Sequence, residues 1–280
     1  MKKYIYFLLI VSLGIISTGS VKILNLNVPD LIEVGTSDIE LDCQYNYEED
    51  EKVQLDIKWY FENDPSPFYQ WVPGQMDRPQ VIGDTFKDHL DLNHSVSDED
   101  DFKRYRALLI KEPTVNLSGV YTCKVSSFLS EDVKQKEMII YSPASSVIFE
   151  QDRSQNGHQV NITCHANGIF PQPQIKLTWG SYQFDDSNAL VTLEDEGHYD
   201  IIVHRLVDHS DIPSKTTFGC ILTIPGIDYE VREESVYYHR DGRRYMSERR
   251  RSGGAGLGKY PTHILLVLSL ASLFSDMMIF

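Results

Sequence analysis

A cysteine, a tryptophan some way downstream and then a second cysteine make a pattern that few folds accommodate, and this chain carries it twice. In the first block Cys43 ends the stretch Asp38-Ile39-Glu40-Leu41-Asp42-Cys43, whose apolar and polar residues alternate as on a half-buried strand. Trp59 follows within Leu55-Asp56-Ile57-Lys58-Trp59-Tyr60-Phe61, where Leu55, Ile57, Trp59 and Phe61 share one face. Cys123 closes the block in Ser118-Gly119-Val120-Tyr121-Thr122-Cys123, with Tyr121 two residues ahead of it. Cys…Trp…Tyr-x-Cys is the pattern of an immunoglobulin domain: a disulfide joins two packed sheets, the indole lies on it and the tyrosine hydroxyl ties a corner. The two cysteines are 80 residues apart, which leaves room for the extra strands of a variable-type domain.

The second block is shorter. Asn161-Ile162-Thr163-Cys164 leads to Leu177-Thr178-Trp179 and then to Phe218-Gly219-Cys220, with a cysteine separation of 56, closer to a constant-type domain. Phe218 stands where the corner tyrosine belongs; it fills the space but donates no hydrogen bond. The expected fold is therefore all-β, two tandem immunoglobulin-like β-sandwich domains, the first variable-type over residues 21–142 and the second constant-type over 143–239. Four cysteines allow three pairings. Their surroundings favour Cys43–Cys123 and Cys164–Cys220, with Trp59 and Trp179 as the core tryptophans. Each bridge closes a long loop and contributes about 3–5 kcal/mol in the chain-entropy picture.

Both ends read as non-structural. Lys2 and Lys3, an apolar run and then the small residues Ser17-Thr18-Gly19-Ser20 have the order of a secretory signal peptide, expected to occupy 1–20. Residues 240–263 form a basic, Gly-rich stalk, open to basic-specific proteases at Arg240, Arg243 and Arg249–Arg251. An apolar segment follows at 264–280, and three readings stay open for it. As a membrane helix it is short, contains Asp276 and has its arginines on the wrong side for the positive-inside rule. As a glycosylphosphatidylinositol signal it has the small residues Ser252-Gly253-Gly254-Ala255, a polar spacer and a terminal apolar tail, with Ser252 as the attachment residue. The third reading is a protein released at the arginines.

Three stretches of the first domain and one of the second carry a family resemblance. Ile57-Lys58-Trp59-Tyr60-Phe61, then Phe68-Tyr69-Gln70-Trp71-Val72-Pro73, then the stretch from Ser118 through Cys123 to Ser126 are similar to the first domain of the insect beaten path family. Cys164-His165-Ala166-Asn167-Gly168-Ile169-Phe170-Pro171 with Trp179 resembles that family's second domain. The resemblance covers about 21–238 and implies neuronal cell-surface or secreted recognition proteins, acting in axon guidance, whose partners are immunoglobulin-superfamily receptors of the sidestep type.

The sequons at Asn93, Asn116 and Asn161 are candidate glycosylation sites. None falls on the strands expected to carry Tyr60 or Lys124, so one sheet face of the first domain stays free of sugar. If Trp59 and Cys123 point inward, Lys58, Tyr60, Thr122 and Lys124 point out. The ring-rich stretch 68–72 looks too aromatic to bury entirely. Tyr60, Tyr69, Trp71 and Lys124 are thus the candidate partner-binding residues, against the alternative that Phe68 and Trp71 merely close the core.

Other chemistries find little support. The formal charge of −15 argues against nucleic acid. The run Asp98-Glu99-Asp100-Asp101 lacks calcium-loop spacing and reads as a solvated loop. The stretch 253–259 nearly spells a phosphate loop but has Tyr260 where Ser or Thr must hold the metal. His198, His204 and His209 match no zinc spacing. No cofactor, metal or small-molecule substrate is expected, and no catalysis. The expected function is extracellular recognition through the first domain, with the second as spacer; the alternatives are a secreted soluble ligand and an innate-immunity module.

Overall fold

A computed structural model describes residues 20–184, 188–194, 197–238 and 252–253. The expected signal peptide apart from Ser20, the stalk apart from Ser252 and Gly253, and the apolar tail lie outside the described residues. The chain builds two β-sandwiches in tandem, each with its own core.

In the first, β1 (Lys22–Asn27), β3 (Ile39–Asn46) and β7 (Ala107–Ile110) form one sheet. The other has six strands, in the order β2 (Leu31–Glu33), β9 (Glu131–Tyr141), β8 (Gly119–Ser126), β4 (Asp56–Phe61), β5 (Tyr69–Trp71) and β6 (Gln80–Val81). The chain crosses between the sheets at Val28-Pro29. Proline has no N–H with which to extend the ladder against β3, and β2 instead pairs parallel with β9. The strands β5 and β6 beyond β4 are what make this a variable-type domain.

Alternation sets the core. Along β4, Ile57 and Trp59 are fully buried while Asp56, Lys58 and Tyr60 are half-buried; along β8 the same holds for Tyr121, Cys123 and Val125 against Thr122, Lys124 and Ser126. Cys43 is bonded to Cys123. Trp59 stands opposite Cys123 in the β4–β8 register, with its Nε1 donating to the Arg106 carbonyl at 3.4 Å. The Tyr121 hydroxyl donates to the Leu117 carbonyl at 2.7 Å, closing the corner ahead of β8. Gly119 sits beside that corner because a Cβ there would run into the Glu62 carboxylate and the Phe61 ring.

The second sandwich pairs β10 (Ser146–Arg153), β11 (Gln159–Ile169), β15 (Tyr199–Asp208) and β14 (Leu190–Leu193) in one sheet. The other has the order β13 (Tyr182–Gln183), β12 (Gln174–Trp179), β16 (Lys215–Thr223), β17 (Glu230–Tyr238) and β18 (Ser252–Gly253). This is a constant-type arrangement, bridged by Cys164–Cys220. One expectation needs correcting. Leu177, not Trp179, stands opposite Cys220 and is fully buried; Trp179 lies two residues on, opposite Phe218, and is only half-buried. Both residues are on the same strand face, so the indole moves one pleat toward the sandwich end, where it packs on Phe218 and Phe184.

The junction is short and tied from both sides. Ser142 and Phe170 exchange backbone hydrogen bonds of 2.9 and 3.1 Å. The Tyr141 hydroxyl donates to Glu33 at 2.7 Å while its ring packs on Tyr229, whose hydroxyl accepts from the Ala144 N–H at 2.9 Å.

Candidate recognition site

The six-stranded sheet of the first domain turns one face outward, and its four middle strands supply the side chains. Asp56, Lys58 and Tyr60 come from β4, Gln70 from β5, Thr122 and Lys124 from β8, and Glu131, Val133 and Gln135 from β9, which pairs with β8 so that Thr122 faces Gln135 and Lys124 faces Val133. The charges here are paired on the sheet itself. Lys58 Nζ lies 2.5 Å from Asp56, and Lys124 Nζ 2.5 Å from Glu131. The hydrogen bond to Glu131 raises the Lys124 pKa above the ordinary lysine range, with Tyr60 and Asp56 adding smaller contributions. Gln70 donates to Asp56 at 3.1 Å and accepts from Gln80 at 3.2 Å. The face is thus a hydrogen-bonded polar surface with Tyr60 as its aromatic member.

Two of the four expected contact residues are elsewhere. Tyr69 and Trp71 are each 2% exposed and belong to the core. The rings between Phe68 and Trp71 are buried because the long crossover between β6 and β7 supplies a second aromatic layer that local sequence does not reveal. Phe86 stacks on Phe68 at 3.9 Å, and Tyr105 meets Trp71 edge-on at 5.3 Å. The polar ends are satisfied too: the Tyr69 hydroxyl donates to the Tyr105 carbonyl at 2.6 Å and Trp71 Nε1 to the Met76 carbonyl at 3.2 Å. Burial drives the Tyr69 phenol far above its ordinary pKa.

The sequence reading also missed the most exposed apolar group of the first domain. Phe128 (77% exposed) and Leu129 (58%) crown the hairpin between β8 and β9, and Val53 (63%) lies beside them, its carbonyl accepting from the Phe128 N–H at 3.4 Å. In the chain shortly ahead of Val53 come the exposed residues Glu48, Glu49 and Asp50, of which Glu49 pairs with Lys52. The only local signal was an apolar pair, Phe128-Leu129, set between serines at a strand-to-strand turn. Scattered exposed apolar residues are common, but three meeting from two separate loops form a patch.

The sequons keep clear of this surface. Asn93 is exposed in the turn after Leu90, and Asn116 is exposed in the short helix Val115–Leu117. Asn161 is half-buried on β11, where its Nδ2 donates to Thr163 at 3.1 Å. The acidic run 98–101 is held by neighbours: Asp100 accepts from Tyr47 at 2.8 Å, and Asp101 pairs with Arg104 at 2.5 Å. Among the described residues no cluster of three metal-ligating side chains occurs, and no helix is long and apolar enough to cross a membrane.

Residues 146–225 match the family model of the immunoglobulin C1-set domain. A crystal structure of bovine butyrophilin superposes with a TM-score of 0.57 at 16% identity, covering 79% of this chain and 99% of that one. The chain therefore carries an immunoglobulin domain of the C1 set in its second sandwich. Its sequence is 23% identical over 219 residues to the protein "Selection and upkeep of intraepithelial T-cells protein 3" of Mus musculus, which takes in 73% of this chain; the chain spans 45% of the mouse protein's length. Two disulfide-bonded domains of this type mark an extracellular or surface protein.

Proposed function

We propose that the protein is a cell-surface recognition molecule that binds another immunoglobulin-superfamily receptor through its first domain, with the second domain as spacer. The observation that carries this reading is the convergence of Phe128, Leu129 and Val53 at the hairpin end of a sheet face that also presents Tyr60 and Lys124 and bears no sequon. An apolar centre whose Val53 follows the exposed acidic residues Glu48 and Asp50 in the same loop fits a partner with an apolar pocket rimmed by basic side chains. The finer reading, a sidestep-type partner in axon guidance, has the resemblance of the 57–61, 68–73 and 118–126 stretches to the beaten path family behind it. A second reading, recognition between immune or epithelial cells, has in its favour the mouse relative, whose name refers to intraepithelial T cells. Attachment through a lipid at Ser252 and glycans at Asn93, Asn116 and Asn161 complete the proposal.

The test is a screen of the tetramerised ectodomain against displayed immunoglobulin-superfamily receptors. Phe128→Ala and Tyr60→Ala each weaken binding to the partner at least tenfold, about 1.4 kcal/mol or more. Unchanged affinity in both folded variants would sink the assigned surface. Phosphatidylinositol-specific phospholipase C releases the protein from expressing cells if Ser252 carries the lipid; protein retained in the membrane after treatment excludes it.

A further inference from the structure

We infer that the chain is cut between Ser20 and Val21 and that the new α-ammonium of Val21 is captured by the buried carboxylate of Glu51, an inference that rests on reading residues 1–20 as a signal peptide. Glu51 lies in the loop between β3 and β4 and is 0% exposed. Its Oε1 accepts from the Ser130 hydroxyl at 2.5 Å and from the Ser127 hydroxyl at 3.3 Å, while its Oε2 is buried and, among the described residues, receives no hydrogen bond. A carboxylate withdrawn from water costs several kcal/mol unless a cation compensates it. The adjacent Lys52 is engaged instead with Glu49 at 2.9 Å.

The Val21 nitrogen is joined to this carboxylate through one hydroxyl. Val21 is 3% exposed, and its N–H donates at 2.8 Å to the Ser130 Oγ that in turn donates to Glu51. In the uncut chain that nitrogen is an amide with a single proton, already committed to Ser130. Hydrolysis adds water across the Ser20–Val21 bond: Ser20 leaves as a carboxylate, and the Val21 nitrogen becomes an ammonium with three protons. One proton keeps the bond to Ser130, and the others can reach toward the unfilled Oε2. Ser20 is exposed and small, as the residue before a signal cleavage has to be.

The consequence falls on the recognition hairpin. Ser127 Oγ, besides donating to Glu51, accepts from the N–H groups of Leu129 and Ser130 at 3.0 and 3.1 Å, and so shapes the turn that presents Phe128 and Leu129. Maturation and presentation of the apolar tip are thereby coupled through Glu51.

The experiment uses the mature protein purified from the surface of cells expressing the full chain. N-terminal sequencing finds Val21 first. Glu51→Gln lowers the Tm of that mature protein by about 5 °C and speeds amide exchange at residues 127–130 about tenfold. Inserting Gly-Gly before Val21 displaces the ammonium; it raises the same exchange rates by itself and leaves Glu51→Gln with much less further effect. A first residue other than Val21 overturns the inference together with the assigned cut. Val21 in first place, with 127–130 exchanging equally in native and Gly-Gly forms, overturns the capture alone and leaves the signal peptide standing. If Glu51→Gln does not reach the cell surface, the insertion decides the matter by itself.

Discussion

At the scale of single residues, the first domain depends on an ion pair between a half-buried guanidinium and a buried carboxylate that its sequence pattern does not announce. Arg106 meets Asp42 with two hydrogen bonds, Nε to Oδ1 at 2.8 Å and Nη2 to Oδ2 at 3.0 Å, and Asp42 is buried directly beside Cys43. Removing the guanidinium leaves that carboxylate without its cation. Arg106→Ala is therefore expected to destabilise the first domain by about 3–5 kcal/mol in denaturant unfolding, whereas cutting the exposed Lys52–Glu49 pair changes stability by under about 1 kcal/mol. Tyrosines supply a second handle. Burial, with the hydrogen bond to Glu33, pushes Tyr141 up to about 12, and burial moves Tyr45, Tyr69 and Tyr121 upward as well. A phenol whose folded pKa is raised contributes stability that is whole below the ordinary tyrosine value of about 10 and is lost as pH rises from there toward the folded pKa. Ultraviolet titration of phenolate formation should find these groups ionising late and together with unfolding, between about pH 10 and 12 and beyond; early, reversible titration of Tyr45, Tyr69, Tyr121 and Tyr141 in the folded protein would contradict the burial.

At the scale of elements, the strands bearing cysteines were legible because period-two alternation is a local signal. Leu55, Ile57, Trp59 and Phe61 announced β4, and Val120 to Cys123 announced β8. The ring-rich stretch around β5 misled for the opposite reason. Whether Tyr69 and Trp71 face solvent depends on Phe86 and Tyr105, which arrive from a crossover whose path has no periodicity. The difference can be measured. Trp71→Ala removes a packed indole and should cost about 3–5 kcal/mol of stability, while Phe128→Ala, stripping an exposed ring, should leave the unfolding midpoint nearly unchanged and act on binding alone. If Trp71→Ala folded with native stability, the burial of β5 would be wrong. The displacement of Trp179 has a similar cause: a strand shows which face a residue takes, but the neighbouring strand's register decides which residue lies over the disulfide.

At the scale of the whole molecule, the junction decides how the recognition tip is carried. Tyr141 closes β9 of the first domain while its ring packs among second-domain side chains, and Ser142 is bound to Phe170 across the boundary. Such a tie predicts limited hinge motion. Tyr141→Ala should broaden the interdomain distances seen by small-angle scattering; an unchanged scattering profile would show that the Ser142–Phe170 bonds suffice. The sequence by itself determined the two sandwiches, their order, their disulfide partners and the alternation of inward and outward residues, because each of these is written in spacings along one strand or between covalently joined cysteines. Tertiary structure alone decided which rings are covered, that Leu177 takes the place over the second disulfide, and that Val53 joins Phe128 and Leu129 above a buried Glu51. Those outcomes depend on residues distant in the chain meeting in space, where packing and the need to satisfy buried polar groups, rather than local pattern, select the arrangement.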